Sequence, residues 1–294
     1  MRSTGSLFIA SLSAVAALFF APGHAWSATA TAADARRYQA CVAKSERDPE
    51  TALEDALDWR DNGGGVPARH CAALAQVALR QFDLAAQRLE EIANDMDLVR
   101  READPNLKFD DEMRAEILSQ AGNAWLLSGK PAKAYLAFSD ALVDVPEWSA
   151  RQAELLIDRA RALAEIGDFQ AATDDLDRAA RIEPRNVEVY IFRASARRSL
   201  EKLDEAQSDV EKALALEPDN ILALLERGNL NGLAGDPERA REDWSRIIEQ
   251  APGTPAADAA ARNLAKLDNT ENAGEGGSVN STATPPLLLD PAQD

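Results

Sequence analysis

Histidine and cysteine carry much of the nucleophilic and metal chemistry of proteins, and this sequence contains few of either. Its histidines are His24 and His70, and its cysteines are Cys41 and Cys71. His24 lies in an N-terminal leader described below, so a Ser-His-Asp triad or a Cys-His pair would depend on His70 alone. Three readings of the cysteines stay open: a disulfide, two buried thiols, or a metal or catalytic site with His70. We expect the disulfide, because two cysteines in an exported protein usually pair.

Runs of carboxylates are the other candidates for acid/base or metal chemistry. Asp110-Asp111-Glu112 precedes a predicted helix, where negative charge is favoured by the helix dipole, and Asp174-Asp175 has no calcium-loop spacing around it. Gly63-Gly64-Gly65 is not followed by Lys-Ser or Lys-Thr, so it does not form a phosphate-binding loop. The sequence therefore predicts no metal, no cofactor and no enzyme activity.

Arginines and aspartates recur at a fixed spacing along the C-terminal half. Arginine at 159, 193 and 227 is followed sixteen residues later by aspartate each time, and an earlier segment has alanines at both corresponding positions. Because the arginine and the aspartate occur together or are both missing, we predict that they face each other as an ion pair between two helices. The alternative is that these arginines bind a ligand. The pairs concerned are Arg159 with Asp175, Arg193 with Asp209, and Arg227 with Asp243.

The elements that must position these residues are helices, to judge from composition. Hydrophobic residues make up 46% and aromatic residues only 5%, and Ala, Leu, Arg, Asp and Glu dominate. The formal charge of −18 opposes binding to nucleic acid or to anionic lipid, which both need basic surfaces. We therefore expect an all-α protein that binds neither nucleic acid nor anionic lipid.

The N-terminus has the order of a secretory signal peptide. Arg2 precedes the apolar run 7–20, and Pro22-Gly23 and a small-residue cleavage region follow. The run is shorter than the roughly 20 residues that span a bilayer, although an uncleaved anchor is the alternative. We expect residues 1–28 to be removed and the product to be periplasmic or secreted, without membrane insertion.

An internal repeat sets the fold. Proline recurs every 34 residues at Pro184, Pro218 and Pro252, and small residues recur at the eighth and twentieth positions of each segment. Small residues let two helices approach closely, and proline ends the second helix. The period gives four units, 115–148, 153–186, 187–220 and 221–254.

This template resembles the tetratricopeptide repeat, or TPR. The resemblance implies an all-α, right-handed solenoid of helical hairpins that binds peptides or proteins in a concave groove lined by the first helix of each unit. Polar residues on that face are the candidate binding residues, with Arg161 and Arg198 supplying positive charge for a carboxylate-bearing partner. The alternative is that they are only solvated. The candidates are Asn123, Arg161, Ser195, Arg198 and Asn229.

The remaining segments flank the four units. Residues 29–96 predict degenerate helical hairpins, 97–110 a connector, 111–254 the units, 255–267 a capping helix and 268–294 a disordered acidic tail. Leu287, Leu288 and Leu289 in the tail are a short docking motif or part of a plain tail.

Taken together, these features predict a non-enzymatic adaptor or scaffold of the cell envelope that holds a protein or peptide partner. The alternatives are a structural solenoid that self-associates and an accessory subunit of an envelope enzyme.

Overall fold

The computed structural model describes residues 32–102 and 111–275, with side chains to 98 and to 269 in the two stretches. The predicted signal peptide, the end of the predicted connector and the Leu287–Leu289 motif lie outside these residues. Within them the chain is helical and has no strand, as expected for an all-α protein. The helices are α1 Ala32–Ser45, α2 Pro49–Asp61, α3 Gly65–Ala78, α4 Phe82–Glu102, α5 Asp111–Leu127, α6 Pro131–Ala141, α7 Ala150–Ile166, α8 Phe169–Ile182, α9 Val187–Ser199, α10 Leu203–Leu216, α11 Ile221–Leu233, α12 Pro237–Gln250 and α13 Pro255–Glu275.

The helices fall into two compact units, residues 32–182 and 183–275. In each unit successive helices pack as antiparallel hairpins. The first helices of neighbouring hairpins also touch: α5 contacts α7, α9 contacts α11, and α11 contacts α13. This is the stacking of a TPR-like fold.

The repeat signals mark the helix ends as predicted. Helices α8, α10 and α12 each end two residues before the prolines at 184, 218 and 252. First helices begin at polar caps: Ser149 accepts a hydrogen bond from the Gln152 amide, and Asn220 accepts from the Leu222 and Ala223 amides. The two flanking helices are longer than their predicted segments, because α4 continues to Glu102 and α13 to Glu275.

The small residue at the eighth position is matched to the side chain it faces at the twenty-fourth. Gly122 packs on Phe138 and Gly228 on Trp244, and a Cβ atom at either glycine would lie about 2.5–2.6 Å from the ring. The two units with alanine at the eighth position carry Leu176 and Val210 at the twenty-fourth. A smaller residue at the eighth position therefore goes with a larger one at the twenty-fourth, which keeps the spacing between the two helices of a hairpin.

The connection between α6 and α7 differs from the others. It runs over 142–149 and is four residues longer than the α10–α11 connection at 217–220. Trp148 in this connection has φ +60°. A bulky residue in the left-handed region costs about 1–3 kcal/mol, and it persists only where its surroundings impose it. Two contacts fix the start of the connection: Asp144 pairs with Arg114, and Val145 is buried.

Candidate functional site: the first-helix faces

The predicted binding residues come together in two side-chain networks, one in each compact unit. In residues 32–182 the network joins α5 to α7. Asn123 donates from Nδ2 to Asp158 Oδ2 at 3.3 Å, and Arg161 donates from Nη1 to Asp158 Oδ1 at 2.8 Å. A longer contact of 3.4 Å links Arg161 Nη1 to Asn123 Oδ1. Asp158 is thus the centre on which both predicted residues converge.

Carboxylates are in excess around this network. Arg151 bridges Glu116 on α5 and Glu154 on α7, the latter at 2.8 Å. Burial raises the pKa of Asp158 above its usual value even though Arg161 and Asn123 stabilise the charged form. Burial likewise raises the pKa of Glu116, against the effect of Arg151. Both carboxylates lie in surroundings that solvate their charge poorly.

The second network joins α9 to α11 in residues 183–275. Arg198 and Glu226 form a buried ion pair, with Nε to Oε2 and Nη2 to Oε1 both at 3.1 Å. Arg198 also lies 3.5 Å from Ser195 Oγ. Asn229 donates to Glu226 Oε2 at 2.9 Å, so three predicted residues gather around one glutamate.

The capping helix α13 extends this second network. Asn263 donates from Nδ2 to Asn229 Oδ1 at 2.9 Å, and Arg241 on α12 reaches Asp268 at 2.5 Å. Ala256, Ala257 and Ala260 of α13 are buried in one cluster with Leu224 and Trp244 of the last hairpin. The cap therefore covers the last hairpin, and it is attached through polar as well as apolar contacts.

The positive charge expected from Arg161 and Arg198 is matched by carboxylates on the same face. Each guanidinium is paired with a carboxylate on a first helix, and Arg198 is only 8% exposed. A carboxylate-bearing partner would have to displace an existing ion pair in order to reach either arginine. The role of the five predicted residues in binding stays a prediction.

Asp158 and Glu226, the residues that organise the two networks, were missed in the sequence. Both occupy the sixth position of their units, one turn or less from the ninth-position residues that were singled out. The available signal was weak, because the sixth position is acidic in two of the four units and is Gln120 and Phe192 in the other two.

The sixteen-residue spacing places each arginine against its aspartate. Arg159 contacts Asp175 with Nε and Nη2, both at 2.7 Å. The same two-point contact is made by Arg193 on Asp209 at 2.9 and 2.5 Å, and by Arg227 on Asp243 at 2.9 and 2.6 Å. We call these contacts the rungs. They join the two helices of one hairpin, away from the first-helix networks.

The middle rung carries an additional arginine. Arg197 donates from Nη1 to Asp209 Oδ2 at 2.7 Å, so Asp209 is shared by two guanidinium groups. In the unit without a rung, Ala121 and Ala137 are both buried. A hairpin closes at this place through a charged pair or through two small apolar residues.

Cys41 on α1 and Cys71 on α3 form a disulfide, with Cα atoms 6.2 Å apart. Both cysteines are buried. The bond ties the first helix to the third across a loop of 30 residues, for which loop entropy alone gives about 3–4 kcal/mol of stability. The N-terminal hairpins match the repeat poorly and are held by this crosslink.

His70, the neighbour of Cys71, is bonded at both ring nitrogens. Tyr38 Oη lies 2.7 Å from Nδ1, and Gln120 Oε1 lies 2.6 Å from Nε2. Gln120 Nε2 in turn donates to Glu116. Burial lowers the pKa of His70 to about 4, so the ring is neutral near pH 7. His70 thus links α1, α3 and α5 as a buried structural group.

No group of three His, Cys, Asp or Glu side chains suited to a metal ion occurs in residues 32–102 and 111–275. In the same part of the chain, no helix is long and apolar enough to cross a membrane.

The comparisons agree with this architecture. Residues 187–220, the third predicted unit, match the tetratricopeptide repeat model. No curated protein matches the chain. Among solved structures, pilF of Pseudomonas aeruginosa is 13% identical, with a TM-score of 0.56, over 77% of this chain and 95% of its own.

Two further structures resemble this chain less well in three dimensions. YrrB, a TPR protein with an unusual peptide-binding site, is 18% identical over 72% of this chain and 98% of its own, with a TM-score of 0.47. The first TPR of Spaghetti (RPAP3), solved with an HSP90 peptide, is 27% identical over 42% of this chain and 95% of its own, with a TM-score of 0.39. The likeness to pilF concerns the fold alone.

Proposed function

We propose that this chain, which is a tetratricopeptide repeat protein, is a non-enzymatic adaptor of the cell envelope that holds a protein or peptide partner on its first-helix faces. The observation that carries the proposal is the pair of networks that join neighbouring first helices. The network around Asp158 ties α5 to α7, and the network around Glu226 ties α9 to α11. Side chains fixed before a partner arrives lose less conformational entropy on binding.

Exposed positions continue these faces one turn further on. Glu165 follows Arg161 by four residues and Ser199 follows Ser195 by four, so each lies on the same side of its helix as a network residue. Both are exposed. They offer accessible contact points beside a rigid framework, which is what a binding surface needs.

The surroundings of His70 favour binding over catalysis. A general acid or base must reach a substrate, whereas His70 is buried and is bonded to Tyr38 and Gln120.

The disulfide supports export, because such bonds persist mainly outside the reducing cytoplasm. Mass spectrometry of protein from the envelope fraction tests export. A chain that lacks about the first 28 residues is expected, and a full-length cytoplasmic chain would contradict it.

Affinity capture from an envelope extract with two matched variants tests the binding face. The first-helix variant is Glu165→Arg with Ser199→Arg. Its control is Asp174→Arg with Ser208→Arg, at exposed positions on the second helices α8 and α10. The two variants change the net charge equally.

Partners captured by the native chain, identified by mass spectrometry and rebound as pure proteins, should be lost with the first-helix variant and kept with the control. Retention by both variants would contradict the proposed face. Loss from both would show that binding follows net charge and not a particular surface.

A further inference from the structure

The α6–α7 connection presents an indole ring on a rigid support. Trp148 is 60% exposed, whereas Trp59, Trp125 and Trp244 are buried. Its amide donates to Gln152 Oε1 at 2.9 Å, and Ser149 Oγ donates to the Pro146 carbonyl at 2.7 Å. These bonds hold the backbone on both sides of Trp148, whose φ is +60°.

Two aliphatic side chains enlarge the exposed apolar area. Leu136 is 61% exposed and Val143 is 77% exposed. Leu136 lies on α6, and Val143 follows seven residues later in the turn after that helix, where its amide donates to the Asp140 carbonyl. Trp148 is five residues beyond Val143, a span of at most about 17 Å. One standard interface, about 800 Å² on each partner, would cover all three.

The rim of this patch carries both signs of charge. Glu147 lies beside Trp148 in the chain, and its side chain is 77% exposed. Arg178 on α8 approaches it to 3.5 Å, at the weak end of the range for an ion pair. A patch with one acidic and one basic group side by side can pair with a copy of itself, because a two-fold axis sets each group against its opposite.

We propose that two copies of this chain associate through the surface formed by Leu136, Val143, Trp148, Glu147 and Arg178. The indole rings and the two aliphatic residues form the apolar centre of the interface. Glu147 of each copy faces Arg178 of the other. This association is independent of the first-helix faces and leaves them available to a partner.

The charge of the chain sets the salt dependence of the pairing. Two copies with a formal charge of −18 each repel one another, and salt screens that repulsion. We therefore expect a weak dimer, with a dissociation constant on the order of micromolar, that tightens when sodium chloride is added.

Sedimentation of the purified full chain over a micromolar concentration series tests the pairing. Trp148→Asn removes the ring, and asparagine tolerates the left-handed backbone. It should raise the dissociation constant about thirtyfold, as loss of a hot-spot side chain does. The control Ile166→Ala removes another exposed apolar side chain and should leave the constant unchanged. A native chain that stays monomeric at the highest concentration overturns the proposal.

Charge exchange tests the two-fold arrangement. Glu147→Arg and Arg178→Glu should each weaken the dimer, and the two together should restore it. Circular dichroism of each variant should match that of the native chain. A dimer that responds to none of these changes, or single variants that the double exchange does not rescue, would place the interface elsewhere.

Discussion

Arginines at different positions of the repeat have different tasks, which is visible only at the scale of single residues. Those of the rungs close a hairpin internally, whereas Arg198 joins neighbouring hairpins and Arg161 pairs with Asp158 on its own helix. In all of them the guanidinium is matched to a carboxylate, and most of these carboxylates are buried. The charged pairs therefore specify how the helices align.

Asp209, the shared aspartate of the middle rung, allows a test of how much the charged pairs stabilise the hairpins. Arg159→Ala leaves Asp175 buried without the guanidinium that holds it, and should lower the free energy of unfolding by about 1–3 kcal/mol. Arg193→Ala should cost less, because Arg197 still contacts Asp209. Urea unfolding should show that Arg193→Ala with Arg197→Ala costs more than the sum of the two single changes. Simple additivity would mean that Asp209 is not shared.

His70 makes the stability of the folded chain depend on pH. Its pKa is about 4 in the folded chain and near 6.5 when unfolded, so the unfolded state binds more protons between these values. The stability that comes from keeping His70 neutral is complete above pH 6.5 and is lost as the pH falls toward 4. The full loss is about 3 kcal/mol.

His70→Gln isolates this effect, since glutamine can accept from Tyr38 and donate to Gln120. Urea unfolding at a series of pH values should show that the native chain loses more stability than the variant between pH 6.5 and 4. Raised pKa values of Glu116 and Asp158 act in the opposite direction and are common to both proteins. Parallel curves would contradict the buried neutral histidine.

At the scale of helices, the repeat period predicts where helices end, but it does not predict the contacts of the polar side chains on the first helices. Proline and small-residue spacing correctly predicted where α8, α10 and α12 end, because those signals act within a few residues. The burial of Arg198 depends on Glu226, which is 28 residues away on another hairpin. Such contacts follow from how hairpins stack, which the period does not specify.

The exchange of volume between the eighth and twenty-fourth positions is testable at this scale. Gly228→Ala would set a Cβ about 2.6 Å from the Trp244 ring, so it should cost about 1–3 kcal/mol. Adding Trp244→Leu recreates the Ala160 and Leu176 combination and should recover part of that loss. Thermal unfolding of the three variants measures the coupling. If Trp244→Leu lowers stability equally with Gly228 and with Ala at 228, the two positions are independent.

Over the whole molecule, different parts of the chain have different tasks. The disulfide and His70 hold the N-terminal hairpins. We propose that the first-helix networks frame a partner surface and that the Trp148 connection pairs copies. The sequence predicted the disulfide, because it contains two cysteines and a leader typical of exported proteins, and it predicted the hairpins, because helix periodicity is encoded locally. No feature of the sequence marked Trp148, because neither its exposure nor its left-handed backbone follows from residue type.

The central claim is that a partner lies on the first-helix faces, and site-specific photo-crosslinking in living cells tests it most directly. A photoreactive residue would replace Glu165 or Ser199 on the first helices, and Asp174 or Ser208 on the second helices as controls. We expect Glu165 and Ser199 to yield the same crosslinked partner and the control positions to yield none. Crosslinks to that partner from Asp174 and Ser208, with none from Glu165 and Ser199, would contradict it.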